Sequence, residues 1–177
     1  MLSLIVCMDA RNNIGKEGEL GFRLEDDLAN FKRKTVGNVI VYGRKTLQSM
    51  GNKPLKGRTN IIMSKDKEWL HEMVNKHDNV MYAGFKNVVA LSLLEDVYIC
   101  GGSQIYEKFL REHGECIDEM IITVVDDVIE GADAKFPVDL VNWLNYEVVK
   151  TVKVTEHYKP SYTIYTYRRK NCAICHD

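Results

Sequence analysis

Three consecutive acids, Glu25, Asp26 and Asp27, open a stretch whose apolar residues recur with helical spacing from Leu24 to Lys34. Acids are favoured at a helix N-terminus by the macrodipole, so position alone gives none of them a chemical task. A helical wheel separates them. At about 100° per residue, Leu24, Leu28, Phe31 and Thr35 share one face, and Asp27 borders it beside Phe31. Asp26 falls nearly opposite and Glu25 on the other flank. A carboxylate at the edge of an apolar pocket or core is costly unless paired, and burial raises its pKa. A cationic or proton-donating ligand accounts for such an arrangement, although the wheel does not name the partner.

Other groups suggest an anion. Gly101-Gly102 lies between a strand-like run and a helical one. The third glycine of a dinucleotide fingerprint is missing, so the pair is either a tight turn or a bare backbone whose N–H groups can take pyrophosphate. Arg44, Lys45 and Thr46 open a helix after one strand, and Ser64 with Lys65 follows another. Arg58 after Gly57 reads as surface, and Thr123 as a β-branched strand residue. Cys7 and Cys100 end buried strands and read as small apolar residues. The tail Cys172-Ala173-Ile174-Cys175-His176 matches the C-x-x-C-H string of haem attachment and also offers metal ligands. At the chain's extreme end, with no export signal visible, it reads instead as a frayed, redox-sensitive tail.

The elements that must position these groups alternate. Strand-like runs occur at Leu2–Met8, Asn38–Tyr42, Thr59–Met63, Val80–Ala83 and Asp96–Cys100. Helical patterns lie between and after them, at Leu24–Lys34, Arg44–Met50, Lys67–Asn75, Phe85–Leu94 and Gln104–Glu112. That alternation predicts an α/β fold, a single domain with a central, mostly parallel β-sheet flanked by helices. Met120–Val125, Tyr146–Val154 and Tyr162–Arg168 follow without a long helix between them, and the last two predict an antiparallel hairpin at an edge. Asp9–Arg23, which holds Gly15, Gly18 and Gly21, reads as a loop. The domain is expected over residues 1–168, with a tail at 169–177.

A chain of 177 residues is the size of one domain and buries roughly 70% of its unfolded surface. A net charge of −1 gives no pull toward nucleic acid or an acidic membrane surface, so an anionic ligand must be held by a few local basic groups. No apolar run approaches the ~20 residues of a membrane span. The apolar start lacks a basic leader, and five cysteines, an odd number, form no evident disulfide framework. A monomer in a reducing cytoplasm is expected.

The order of these segments resembles the dihydrofolate reductase family over nearly the whole chain. Ser3-Leu4-Ile5-Val6, Asn13-Ile14-Gly15 and Leu24 through Asp27-Leu28-Ala29 to Phe31-Lys32-Arg33 and Thr35 are similar to its N-terminal signature. Tyr42-Gly43-Arg44-Lys45-Thr46 resembles a cofactor motif, and Leu55-Lys56-Gly57-Arg58-Thr59-Asn60-Ile61-Ile62-Met63-Ser64 the substrate-arginine segment. Gly101-Gly102-Ser103-Gln104-Ile105-Tyr106 resembles the double-glycine motif, and Ile122-Thr123, Glu130-Gly131 and Phe136-Pro137 the closing segment. The family has Pro-Trp where this chain has Gly21-Phe22; Asn52-Lys53-Pro54 and Gly131-Ala132-Asp133-Ala134 are slightly longer than in some members.

The resemblance implies NADPH-dependent reduction of dihydrofolate to tetrahydrofolate. Asp27 would accept two donors from the pterin edge and promote protonation of a ring nitrogen, supported by the Thr123 hydroxyl. Ile5, Leu28, Phe31, Met50 and Leu55 would hold the substrate rings, and Arg58 the glutamate carboxylate of its tail. Gly43, Arg44, Lys45, Thr46, Ser64, Lys65, Gly101, Gly102, Ser103, Gln104, Ile105 and Tyr106 would hold NADPH, with Arg44 and Lys65 favouring its 2′-phosphate. Asn13, Ile14 and Gly15 would touch the nicotinamide side from a closing lid, and Cys7 would also reach the cofactor. A cis peptide between Gly101 and Gly102 is implied, and diaminopyrimidine antifolates are expected inhibitors. Two alternatives are a pyrimidine or pterin reductase on the same fold and a folate- and NADPH-binding structural module.

Overall fold

The unbroken apolar run near the N-terminus forms strand β1 (Leu2–Asp9), whose side chains feed two cores. Leu2, Leu4, Val6 and Met8 enter one hydrophobic cluster, and Ile5 enters another. A strand buried on both faces must be apolar on both, which is why this run lacks polar alternation. The computed structural model describes residues 1–155 and 160–170.

After β1 come the short strands β2 (Asn13–Lys16) and β3 (Glu19–Leu20), then α1 (Glu25–Thr35), β4 (Val39–Gly43) and α2 (Arg44–Ser49). β5 (Thr59–Met63), α3 (Lys67–Lys76), β6 (Val80–Met81), α4 (Phe85–Leu91), β7 (Val97–Ile99) and α5 (Ser103–His113) continue the alternation. β8 (Glu119–Val125), β9 (Ala134–Lys135), β10 (Tyr146–Val154) and β11 (Tyr162–Arg169) follow, with short 3-10 turns at Gly114–Cys116, Val138–Leu140 and Trp143–Asn145.

Eight strands form one sheet in the order β10-β11-β8-β1-β7-β4-β5-β6. Pairing is parallel from β8 through β6, whereas β11 runs antiparallel to both β8 and β10. This is the expected α/β architecture with its antiparallel edge hairpin. Val88 of α4 and Phe109 and Leu110 of α5 pack into the first cluster; Leu47 of α2 and Leu70 and Met73 of α3 pack into the second. The chain lays down β4, β5 and β6 outward, then returns to insert β7 between β4 and β1. Such reversals bring the C-terminal ends of parallel strands around a crevice, where α/β sheets bind ligands.

Some expected boundaries move. The helix predicted over Phe85–Leu94 stops at Leu91, and Leu93 and Leu94 project into solvent. The strand predicted over Val80–Ala83 is only Val80–Met81, at the sheet's edge. The loop Asp9–Arg23 contains a hairpin, β2 with β3, and β2 also pairs with the distant β9. The Cys172, Cys175 and His176 tail lies outside the described residues.

Candidate active site

Asp27 sits in the first turn of α1, a helix with acids in that turn and Lys32, Arg33 and Lys34 in its last, as the macrodipole favours. Glu25 and Asp26 are exposed, and Asp27 is half-buried. From β8, 96 residues away in sequence, Thr123 donates its hydroxyl hydrogen to Asp27 Oδ1 at 2.6 Å. Parallel pairing with β1 places Thr123 opposite Cys7. Burial raises the Asp27 carboxyl above its ordinary value, and the Thr123 hydrogen bond only partly opposes it. Burial, assisted by the Asp27 charge, also pushes the Cys7 thiol up. The result is a carboxyl that takes up a proton more readily than an exposed acid.

The apolar face of α1 is left largely uncovered. Thr35 is its one buried residue, and Leu28 remains 37% exposed. Phe31, Met50 and Leu55 each pack, half-buried, against the second cluster, of which Ile5 is a buried member. At the far end of that helix, Arg58 Nε donates to Thr35 Oγ1 at 2.8 Å, and Thr35 in turn donates to Phe31 O. The Arg58 guanidinium lies 5.8 Å from the centre of the Phe31 ring. Asn60, fully buried, fixes the segment that carries Leu55 and Arg58. Its Oδ1 accepts from Tyr42 Oη and Leu55 N, and its Nδ2 donates to the carbonyls of Leu55 and Arg58.

Across the sheet, backbones approach closely where side chains are absent. Gly101 and Gly102 are joined by a cis peptide, and Gly101 has φ +101°. A Cβ at Gly101 would lie 2.8 Å from the Tyr106 ring, and one at Gly43 would lie 3.2 Å from Ile105 Cγ1. Gly43 N donates to Gly101 O at 2.8 Å, tying the ends of β4 and β7 together. Tyr106 forms the floor of this pair, its hydroxyl donating to Ile5 O at 2.7 Å. α5 starts at Ser103 without a side-chain cap, Ser103 Oγ is buried with no hydrogen-bond partner among the described residues, and Gln104 is exposed. A bare backbone, uncapped helix N–H groups and an unsatisfied hydroxyl fit the phosphates of a dinucleotide.

The register Gly43↔Met63 sets the ends of β4 and β5 side by side. Arg44 and Thr46 are half-buried there, and Lys45 and Lys65 are exposed. Arg44 Nη1 meets Asp66 Oδ2 at 2.6 Å, and its guanidinium lies 4.6 Å from the centre of the Trp69 ring.

The loop Asp9–Arg23 is strapped down by groups that the sequence did not single out. Asp9, fully buried, accepts from the backbone N–H groups of Arg11, Asn13 and Ile129 and from Asn13 Nδ2. Burial alone would raise this carboxyl, but these donors outweigh it and hold the pKa below the ordinary value. The Asn13 side chain is thereby engaged inside the loop. Gly15 O accepts from Asp133 N, and Asp133 Oδ2 accepts from Glu17 N. Ile129 lies over Gly21, where a Cβ would be 2.0 Å from Ile129 Cδ1. Phe22 packs with Cys7, Leu24 and Tyr162. An acid ending an apolar strand was the one available signal for Asp9; Asp133 had none.

Comparison with known proteins gives a consistent result. The family model described as dihydrofolate reductase matches residues 1–169. The dihydrofolate reductase of Staphylococcus haemolyticus is 34% identical over 166 residues, covering 94% of this chain and 91% of that one. That of Bacillus subtilis (strain 168) is 32% identical over 177 residues, with coverage of 97% and 96%. A solved structure of dihydrofolate reductase from Enterococcus faecalis, complexed with NADP(H) and RAB-propyl, superposes with a TM-score of 0.80 at 29% identity, covering 97% of each chain.

Proposed function

The chain belongs to the dihydrofolate reductase family, and from that membership we propose how its own residues carry the reaction. The enzyme reduces 7,8-dihydrofolate to 5,6,7,8-tetrahydrofolate with NADPH. Bound NADPH supplies the hydride.

Asp27 accepts the 2-amino and N3 hydrogens of the pterin, a paired interaction suited to a carboxylate. Held against the pterin as an anion, it makes the ring more basic and so promotes protonation of the ring nitrogen next to the reduced carbon. Thr123 holds the carboxyl in place through Oδ1. Leu28 and Phe31 pack on the substrate rings, Ile5, Met50 and Leu55 close the slot, and Arg58 takes the glutamate carboxylate. Gly43, Thr46, Gly101, Gly102, Ser103, Gln104 and Ile105 cradle the pyrophosphate side of NADPH, with Tyr106 beneath. Arg44, Lys45, Ser64 and Lys65 receive the 2′-phosphate, and Cys7 with the Asn13–Gly15 segment lines the nicotinamide side. The strapped loop excludes water from that end.

The observation that carries this reading is the half-buried Asp27–Thr123 pair beside an apolar helix face on which Leu28 stays exposed and Phe31 only half-buried. Diaminopyrimidines, whose protonated ring offers the same paired donors, bind the same carboxyl. A monomer in a reducing cytoplasm belongs to the same proposal; Cys7, Cys100 and Cys116 as free thiols fit it, and sedimentation tests the monomer. Steady-state oxidation of NADPH, with dihydrofolate against a ribosylamino-pyrimidine, tests the substrate. Turnover is expected with dihydrofolate alone. Turnover with the pyrimidine in its place overturns the assignment of Arg58, and tight binding of both ligands without turnover overturns that of Asp27.

A further inference from the structure

Arg44, the cation assigned above to the 2′-phosphate, already has an anion. Asp66 Oδ2 lies 2.6 Å from Arg44 Nη1, with both side chains partly open to solvent. Asp66 is itself pinned: its Oδ1 accepts from Trp69 N as the cap of α3, and its backbone N–H donates to Ser64 Oγ at 3.1 Å. One carboxylate therefore engages the guanidinium, while its backbone N–H donates to Ser64 and leaves the Ser64 hydroxyl hydrogen free for the same phosphate. The plane of Arg44 does not depend on this acid, because the Trp69 ring lies beneath it at 4.6 Å.

We propose that Asp66 is a specificity-determining residue for the adenosine ribose, a built-in carboxylate that competes with the cofactor's 2′-phosphate for Arg44. The helix cap opposes withdrawal of Asp66 when a phosphate monoester arrives. That phosphate carries up to two negative charges and must share or displace the ion pair. A ribose bearing a free 2′-hydroxyl meets no such conflict and can donate to the same carboxylate. Asp66 thus narrows the preference for NADPH over NADH that Arg44, Ser64 and Lys65 create. This inference rests on the assignment of the 2′-phosphate to those residues.

The test is calorimetric binding of NADPH, NADH, adenosine 2′,5′-bisphosphate and 5′-AMP to the full chain. Asp66→Asn removes the charge and keeps a good helix cap; Asp66→Ser does the same should the first variant fold poorly. The two ligands that carry a 2′-phosphate, NADPH and adenosine 2′,5′-bisphosphate, are expected to bind about 3–10-fold more tightly, the scale of relieving one exposed charge interaction against a dianion. NADH and 5′-AMP are expected to be unchanged or weaker, and the gain to shrink as salt is added. An unchanged or reduced ratio of NADPH to NADH affinity overturns the proposal, since it makes Asp66 a bystander or a support for Arg44. Arg44→Gln separates the two readings. It should lower that ratio; if it leaves the ratio alone, the 2′-phosphate lies elsewhere and the underlying assignment fails as well.

Discussion

Thr123→Val replaces a hydroxyl by a methyl of nearly the same shape and deletes one interaction, the 2.6 Å hydrogen bond to Asp27 Oδ1. That bond favours the ionised carboxylate and is the influence that opposes burial. A hydrogen bond to a charged group contributes roughly 1.5–3 kcal/mol, and one pKa unit corresponds to about 1.4 kcal/mol. Because Asp27 is half-buried, the lower part of the range applies, and its pKa should rise further above the ordinary carboxylate value. The stability consequence has a definite sign. Asp27 already titrates above 3.8 in the fold, so the folded chain holds this proton more strongly than the unfolded chain does. Its contribution is most favourable below about 3.8 and is lost as pH rises through the folded-state pKa. In Thr123→Val the loss should extend to higher pH. Carbon-13 NMR titration of the aspartate carboxyls measures the first effect, and denaturant melts from acid to neutral pH the second. A pKa equal to or below that of the parent protein would refute the reasoning.

Arg58→Leu should raise KM for dihydrofolate by about 10–100-fold, the loss of one charged hydrogen-bonded contact, and leave NADPH binding intact; steady-state kinetics and a cofactor titration check it. Gly101→Ala should destabilise the fold by roughly 2–4 kcal/mol in urea melts, since Gly101 has φ +101° and its Cβ would press on Tyr106. Gly21→Ala should impair turnover because Ile129 fills the position a Cβ would take, while the Gly21 N–H bond to Ile14 O is kept. Ile129→Ala in the same chain should restore much of it, and a double-mutant cycle on kcat measures the coupling.

The parts of the fold that depend on periodicity were legible. The uniformly apolar β1 and the alternation of strand and helix carry the parallel sheet, and the helical wheel alone set Asp27 apart from Glu25 and Asp26. Its partner Thr123 was not legible from spacing, because β8 reaches Asp27 through sheet pairing 96 residues later; the family resemblance supplied it. The straps of the Asp9–Arg23 loop escaped because they use backbone N–H groups of Arg11, Asn13, Glu17 and Ile129, which no side-chain pattern marks. Leu93 and Leu94 misled the reading of α4, since apolar residues extend a helical pattern even where nothing covers them. Phe22 and Gly21 have local explanations visible only in three dimensions: one fills the cluster beside Cys7, the other makes room for Ile129.

Single-turnover hydride transfer in Asp27→Asn, followed by the loss of NADPH absorbance at neutral pH with saturating dihydrofolate, addresses the assignment of Asp27 most directly. The expected result is a rate lower by roughly 10²–10⁴-fold, with the dissociation constant for NADPH essentially unchanged. A rate within threefold of the parent protein's would show that the proton reaches the pterin without this carboxyl.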